Sequence, residues 1–265
     1  DYFSFYMQHF EVPVYYFGTQ YGISPWHYPL VLIFVTVPLV ILIPCIIGIF
    51  TIGTPKNRPT HWYVLSNAML PILLASLPGM PKYDGVRLFL PSFPFLCILS
   101  GIGLKHLYSI LKKFPYGSVL LFGYLIVFVV SLYVSVFKTH PYQSSYFNEI
   151  TGGLKGAVRR GFEAEYWGSA YLGLLHFMNR HADKVFWLSM MDIDPRLRFK
   201  FAVYIENGHL DKKIRFGNKT NSDYLILLIR QGFFNEDMWD YYRNRKPVFS
   251  VRLDGTALAS IYKIK

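Results

Sequence analysis

Charged residues are scarce in this chain. They make up 16% of its 265 residues, whereas hydrophobic residues make up 52% and aromatic residues 18%. Soluble globular domains usually carry about 25% charged residues. Four long stretches contain no Lys, Arg, Asp or Glu at all, and each is about long enough to cross the hydrocarbon layer of a bilayer as a helix. The sequence therefore predicts four transmembrane helices, at about 30–50, 62–80, 88–108 and 117–137.

Several other features are missing. The two cysteines, Cys45 and Cys97, both lie in predicted spans, so the chain offers no disulfide framework. No segment has the pattern of a cleaved signal peptide. The chain has no metal-ligand cluster, no nucleophile elbow and no glycine-rich phosphate loop. Its basic residues are scattered, without an Arg-rich helix. The sequence predicts no metal, no cofactor and no nucleic-acid partner.

The positions of Lys and Arg in the short loops predict the orientation. The loop after the first predicted span carries Lys56 and Arg58, and the region after the third carries three lysines. The segment before the first span has no Lys or Arg. Positively charged loops tend to stay in the cytoplasm. The chain start, the loop around Asp84 and everything after Phe137 are therefore expected outside the cytoplasm, in a multi-pass protein of the cell membrane.

The character of the chain changes after Phe137. Residues 138–265 hold 20 of the 27 Lys and Arg and 13 of the 16 Asp and Glu. The predicted organisation is thus a membrane domain at 1–140 and an extracytoplasmic domain at 141–265. Apolar runs in the second domain predict strands, and Asp194–Pro195 and Asn207–Gly208 are start and stop signals for a helix. Alternating strands and helices predict a small α/β domain. The predicted strands are 184–191, 222–230 and 247–253, and the predicted helices are 194–208 and 235–245.

The segment YDGVRLFLP (83–91) places Asp84 and Arg87 at the start of the third predicted span. An Arg at this position can pair with the Asp, extend to the interface, or bind a phosphate. The planar guanidinium suits the last role because it can donate two parallel hydrogen bonds to phosphate oxygens. The residues alone leave these three alternatives open.

The segment HPYQSSYFNEITGG (140–153) follows the last predicted span and is dense in side chains that combine flat apolar faces with hydrogen-bonding groups. Such side chains often hold sugars. The alternative is an interfacial helix whose aromatic side faces lipid. The candidate residues here are His140, Tyr142, Tyr146, Asn148 and Glu149.

The segment GAVRRGFEAEYWGSAY (156–171) contains Glu163, Glu165 and Trp167. Two carboxylates two residues apart point the same way on a strand but diverge on a helix, so their spacing does not establish a general acid and base. The alternative reading is a set of salt bridges with Arg159 and Arg160.

These segments together carry a resemblance to a known family. SPWHYPLVLIFVTVPLVIL, KYDGVRLFLPSFPFLCILSGIGL, HPYQSSYFNEITGGLKGAVRRGFEAEYWGSAY and SDYLILLIRQGFFNEDMWDYYRNRKPVFSVRLDGTALASIY occur in this order over nearly the whole chain. They resemble the C-terminal part of polytopic family 39 glycosyltransferases of the GT-C superfamily, such as dolichyl-phosphate-mannose protein mannosyltransferases and aminoarabinose transferases. The resemblance implies transfer from a polyprenyl-phosphate-linked sugar at the outer membrane face, with inversion at the sugar carbon. It implies no nucleotide and no obligatory metal.

The resemblance also implies residue roles. Arg87 matches the family's Arg before the LP span entrance, where it meets the donor phosphate and stabilises the charge that builds on it. Tyr83 and Asp84 are then expected to orient Arg87 or to contact the sugar, and the segment from His140 forms part of the roof over the site. The remaining expected substrate-binding residues are Tyr142, Tyr146, Asn148, Glu149, Glu163 and Trp167.

One departure from the family pattern bears on activity. The family carries its catalytic carboxylate in the first outer loop, upstream of where this chain begins, and this chain starts with Asp1 rather than Met. The sequence is therefore interpreted as a fragment that lacks activity alone, with no catalytic residue assigned. The competing hypothesis is a non-catalytic membrane protein whose basic outer domain binds envelope polymers or a partner subunit. The sugar and the acceptor are not specified by the sequence.

Overall fold

The structure, a computed structural model, describes residues 12–51, 58–190 and 197–264. These residues form two compact units. The helical unit comprises residues 12–14 and 21–156, and the sheet unit comprises Tyr15–Gln20 and residues 157–264. The division thus falls after Gly156, whereas the sequence prediction put the domain boundary after residue 140.

The helical unit is built from α-helices, and a 3₁₀ helix, Arg87–Ser92, leads directly into one of them. Two further 3₁₀ helices, Gln143–Ser145 and Glu149–Thr151, follow the last long helix. The α-helices are α1 (Tyr28–Thr36), α2 (Leu39–Phe50), α3 (Arg58–Ser76), α4 (Phe93–Leu111), α5 (Gly117–Thr139) and α6 (Gly153–Arg159), the last of which crosses the division.

Two helices in the described part of the chain are long and apolar enough to cross a membrane. They are Arg87–Leu111, which joins the 3₁₀ helix to α4, and Gly117–Thr139, which is α5. The prediction of four such helices is not confirmed. The second predicted span, at about 62–80, overlaps α3, which has 19 residues but includes polar side chains such as Arg58, His61 and Asn67.

The first predicted span is interrupted. Helix α1 ends at Thr36, Val37 is extended with φ −79° and ψ 127°, and α2 begins at Leu39 after Pro38. A residue before proline disfavours the helical conformation, and proline has no N–H to donate. The absence of charge between 30 and 50 therefore did not guarantee one continuous helix.

Two glycines bring α2 and α4 into close contact. A Cβ atom on Gly48 would lie 1.9 Å from the carbonyl oxygen of Leu99, and one on Gly103 would lie 1.9 Å from that of Pro44. Small residues at a helix crossing let the two backbones approach closely. This crossing tolerates no side chain at either position.

The sheet unit contains a five-stranded mixed sheet, so the predicted α/β class of this part is confirmed. The strands are β3 (Val185–Leu188), β4 (Arg215–Phe216), β5 (Tyr224–Leu228), β6 (Phe249–Leu253) and β7 (Thr256–Lys263). Their order in the sheet is β4-β3-β5-β7-β6, with β3 parallel to β4 and β5, and β7 antiparallel to β5 and β6. Leu225, Ile226 and Leu227 of the central strand are fully buried, as expected for a strand covered on both faces.

The helices of this unit are α7 (Tyr171–Arg180), α8 (Leu197–Glu206) and α9 (Glu236–Asn244). Helices α8 and α9 confirm the two helices predicted from the sequence, although the predicted start of the first, at Asp194, lies outside the described residues. Asn235 caps α9 by accepting a hydrogen bond from the N–H of Met238 at 2.9 Å.

A hairpin near the start of the chain contributes to the sheet unit. Its strands are β1 (Val14–Tyr16) and β2 (Thr19–Tyr21), and its turn places Phe17 at φ 48° and Gly18 at φ 80°. The N–H of Gly18 donates to the carbonyl of Gly161 at 3.1 Å, and the Phe17 ring lies 4.9 Å from that of Phe162. Residues 15–20 therefore fold together with residues 157–264.

Candidate functional site

The turn before α4 holds the Asp84–Arg87 pair that the sequence singled out. Asp84 and Gly85 both have positive φ, at 55° and 65°, so the chain reverses sharply here. Nη1 of Arg87 donates to Oδ2 of Asp84 at 3.2 Å. The Asp84 side chain is 13% exposed and the Arg87 side chain 50% exposed. The carboxylate thus fixes the guanidinium at the head of a membrane-length helix and leaves half of it accessible.

Tyr83 is buried beside this pair. Burial raises the pKa of its phenol; the Arg87 charge lowers it and the Asp84 charge raises it. The phenol is therefore protonated at neutral pH and can donate a hydrogen bond, but its buried position limits its reach toward a substrate. Tyr83, Asp84 and Arg87 are brought together as the sequence led us to expect.

Lys82 anchors the same turn, a role that the sequence analysis did not identify. Its Nζ donates to the carbonyls of Leu77, at 3.1 Å, and Met80, at 2.9 Å, while its own carbonyl accepts from the hydroxyl of Ser24 at 2.6 Å. The side chain is almost fully buried, and burial lowers its pKa. A cation is favourable near a helix C-terminus, so Lys82 ties the turn to the end of α3.

Asn148 closes the break between α1 and α2. Its Nδ2 donates to the carbonyls of Phe34 and Val37, both at 2.7 Å, and its N–H donates to the carbonyl of Val35 at 2.8 Å. Its Oδ1 accepts from the N–H of Ile150 at 3.1 Å. Both amide hydrogens are thus used within the fold. We therefore do not count Asn148 among the residues that can contact a substrate.

Tyr146 and Glu149 lie beside a groove along the C-terminal half of α5. The hydroxyl of Ser135 donates to the Tyr146 hydroxyl at 3.4 Å. Burial raises the pKa of Tyr146, the Ser135 hydrogen bond lowers it, and the Glu149 charge raises it. The groove has a volume of about 380 Å³, within the usual range for ligand sites. It is lined by Ile126, Val127, Val130, Ser131, Val134, Ser135 and Glu149.

His140 and Tyr142 follow the end of α5. The amide nitrogen of Gln143 lies 3.0 Å from Nδ1 of His140, which is exposed. The N–H of Tyr142 donates to the carbonyl of Thr139 at 2.6 Å. Both residues belong to the helical unit, on the segment that also carries Tyr146 and Glu149.

The carboxylates of Glu163 and Glu165 accept hydrogen bonds from different segments of the sheet unit. Oε1 of Glu163 accepts from the N–H of Gly232 at 2.7 Å. Oε1 of Glu165 accepts from the N–H groups of Trp167 and Gly168, at 2.6 and 2.9 Å, and Oε2 accepts from the Ser169 hydroxyl at 2.6 Å. Glu165 is fully buried. Its hydrogen bonds therefore close the 165–169 turn.

Trp167 is half exposed on the outside of that turn. Lys200 of α8 holds the turn from the other side, because its Nζ donates to the carbonyl of Gly168 at 2.9 Å. Burial lowers the pKa of Lys200, and the nearby Glu165 charge raises it. The predicted contact of Trp167 with a substrate stays a prediction, whereas the charged groups of Glu165 and Lys200 stabilise the turn.

The two candidate sites of the helical unit lie toward the same end of a helical hairpin. Helices α4 and α5 are joined by residues 112–116 and pack against each other, so the start of the first and the end of the second are at one end. Arg87 precedes α4, and the groove follows the last turns of α5. Among the residues that the structure describes, no group of three or more His, Cys, Asp and Glu is placed to hold a metal.

Comparisons with models of protein families, with curated proteins and with solved structures gave no match.

Proposed function

We propose that this chain is the C-terminal portion of an integral membrane glycosyltransferase. It transfers a sugar from a polyprenyl-phosphate-linked donor to an acceptor on the outer face of the membrane. The observation that carries the proposal is the placement of Arg87, half exposed and held by Asp84, at the head of a membrane-length helix. The phosphate of a lipid-linked sugar lies at the boundary between the hydrocarbon layer and the head groups, which is where the start of such a helix is expected.

The chain connectivity supports the membrane arrangement in this proposal. Residues 15–20 fold with residues 157–264, so any crossings between residues 20 and 157 must be even in number. Helices α4 and α5 supply two. We assign α2 and α3 to the membrane as well, with the interrupted α1–α2 segment supported by Asn148, since irregular backbone in a bilayer needs its polar groups satisfied by protein. The sheet unit is then extracytoplasmic, as the loop charges suggest.

The proposed chemistry at Arg87 is electrostatic. When the bond between the sugar and the phosphate breaks, negative charge builds on the leaving phosphate oxygens. A fixed guanidinium donates to those oxygens and stabilises this charge without first having to reorganise. Asp84 orients the guanidinium, and Lys82 holds the turn. The resemblance places the catalytic carboxylate upstream of this chain, and we assign no general base among the described residues.

The test is a transfer assay with a polyprenyl-phosphate-linked sugar and the full-length protein. Removing a group that stabilises developing charge typically costs about 10² to 10³ in rate, so we expect Arg87→Ala to lower transfer by at least about a hundredfold. Arg87→Lys is expected to retain part of it, because it keeps the charge but not the planar fork. Arg252→Ala, an exposed Arg of β6, is the matched control. Unchanged transfer by Arg87→Ala refutes the phosphate role.

The non-catalytic alternative makes a different prediction. If the basic outer domain only binds envelope polymers or a partner subunit, binding does not depend on a lipid-linked sugar, and Arg87→Ala leaves it unchanged. The same Arg87 variant therefore discriminates the two functions when transfer and envelope-polymer binding are measured in parallel.

A further inference from the structure

We propose that the groove along α5 binds the hydrocarbon chain of a lipid acceptor, and that the carboxylate of Glu149 receives a hydroxyl or amino group of that acceptor. The inference rests on the transferase function proposed above and adds the chemical class of its second substrate. The acceptor is then an amphiphile that reaches the site through the membrane.

The wall of the groove is suited to a hydrocarbon chain. Four of its lining residues are the aliphatic side chains of Ile126, Val127, Val130 and Val134. Between Ile126 and Ser135 the helix rises about 14 Å, so an extended chain of similar length can lie along it. The groove is open along one side, and α5 is exposed over nearly its whole length. A chain can therefore enter sideways from the surrounding lipid.

The polar groups gather at one end of the groove. Ser135, Tyr146 and Glu149 lie toward the C-terminal end of α5, where the Ser135 hydroxyl donates to the Tyr146 hydroxyl. Glu149 is exposed and is the one charged residue among those that line the groove. An apolar wall that ends in hydroxyls and a carboxylate fits an amphiphile whose head lies at that end.

The negative charge of Glu149 determines which lipid head groups the groove favours. A carboxylate accepts hydrogen bonds from hydroxyl groups and attracts an ammonium, but it repels a phosphate. The phosphate of the donor is therefore disfavoured in this groove and favoured at Arg87. The donor therefore binds at the positively charged Arg87, and the acceptor binds at the negatively charged Glu149.

The backbone at Glu149 is held in place by the segment that precedes it. It begins the 3₁₀ helix Glu149–Thr151, which Asn148 caps through its Oδ1. The amide of Asn148 in turn donates to the carbonyls of Phe34 and Val37. Asn148 thus fixes the backbone that carries Glu149 at the end of the groove.

The experiment uses two photoreactive probes on the full-length protein in lipid nanodiscs. Both carry the same diazirine-bearing alkyl chain; one has a neutral glucoside head and the other a phosphate head. Crosslinks are mapped by mass spectrometry to residues 126–135. A carboxylate that disfavours phosphate by about 1.4 kcal/mol gives about a tenfold difference in binding, so we expect the glucoside probe to label the groove about tenfold more.

Three variants test the assignment. Val130→Trp fills the groove and should lower glucoside labelling by about tenfold. Val136→Trp is the matched control, because Val136 lies on the opposite side of α5, and should leave labelling unchanged. Glu149→Gln removes the charge and should bring the labelling by the two probes within about twofold of each other.

The proposal is overturned if the phosphate probe labels the groove as strongly as the glucoside probe in the unmodified protein, which indicates the chain of the donor. Equal losses in Val130→Trp and Val136→Trp also overturn it, because they indicate ordinary contact with bulk lipid. These outcomes are independent of the Arg87 assay. If the probe preference holds while Arg87→Ala transfers normally, the binding site is supported and the proposed phosphate role fails.

Discussion

At the scale of single residues, Asn148 shows how a polar side chain can matter to a site without touching a substrate. The density of polar and aromatic groups from His140 to Glu149 predicts sugar binding, but the Asn148 amide is used to close the helix break at Val37. Nothing local in the sequence indicates this, because its partners lie more than 100 residues earlier. The Asp84–Arg87 pair, by contrast, is three residues apart and could be predicted.

Replacing Asn148 by Ala should lower the free energy of unfolding by about 1–3 kcal/mol, because the buried carbonyl of Val37 and the partly buried carbonyl of Phe34 lose their donor. Thermal unfolding in detergent measures the effect. Asn67→Ala is the matched control: the Asn67 amide donates to the Tyr63 carbonyl within α3 and is exposed, so a change below about 0.5 kcal/mol is expected. Equal effects of the two substitutions would contradict the role of Asn148.

Lys200 gives a prediction about pH. Its pKa is lowered in the folded protein by burial, so the unfolded chain binds more protons between the folded pKa and the ordinary lysine pKa of 10.5. Stability linked to this group therefore increases as the pH rises through that window and is constant below it. Unfolding measured between pH 7 and pH 10 should show that Lys200→Met loses this increase. An identical pH dependence in both proteins would rule out the burial effect.

At the scale of elements, the sequence predicts some strands of the sheet and not others. Strand β5 could be predicted because its apolar run is covered on both faces, whereas β7 was missed because TALASIYK mixes small and polar residues. Its buried Ser260 lies beside the Ser250 hydroxyl at 2.9 Å, a pairing that exists only once β6 and β7 are in register. The break at Pro38 could not be predicted from the lack of charge, because an uncharged stretch need not be one continuous helix.

The crossing of α2 and α4 predicts a contrast between neighbouring glycines of α4. A Cβ at Gly103 would lie 1.9 Å from the Pro44 carbonyl oxygen, whereas one at Gly101 would meet nothing within 4 Å. Gly103→Ala should therefore cost about 1–3 kcal/mol through overpacking. Gly101→Ala should be neutral or slightly stabilising, because alanine is the better helix former. Thermal unfolding of both variants in the same detergent is the measurement, and equal midpoints would exclude the close crossing.

At the scale of the whole molecule, the hairpin at residues 15–20 constrains the topology. It precedes every helix in the described residues yet folds with the sheet unit, which no local pattern in the sequence predicts. Because residues 15–20 fold with the sheet unit, the chain between residues 20 and 157 must cross a membrane an even number of times if it crosses one. The loop charges of the sequence lead to the same parity by a separate route.

Labelling in intact cells tests the proposed topology. With Cys45 and Cys97 replaced by Ala, single cysteines at Thr19 and Val248 should both react with a membrane-impermeant maleimide, because our proposal places the unit that holds both of them outside the cytoplasm. A cysteine at Lys112, between α4 and α5, should react only after the cells are permeabilised. If one of the cysteines at Thr19 and Val248 reacted in intact cells and the other only after permeabilisation, the two residues could not belong to one folded unit.

We propose that the Arg87 guanidinium binds the phosphate of a polyprenyl-phosphate carrier, and this predicts the affinity of the full-length protein for that carrier. Binding of a fluorescent polyprenyl phosphate without a sugar is measured in nanodiscs for the unmodified protein, Arg87→Lys and Arg87→Ala. Loss of a charge-assisted hydrogen-bond pair of about 1.5–3 kcal/mol should weaken Arg87→Ala by about 10- to 100-fold, with Arg87→Lys in between. Equal affinity in all three proteins would contradict the account.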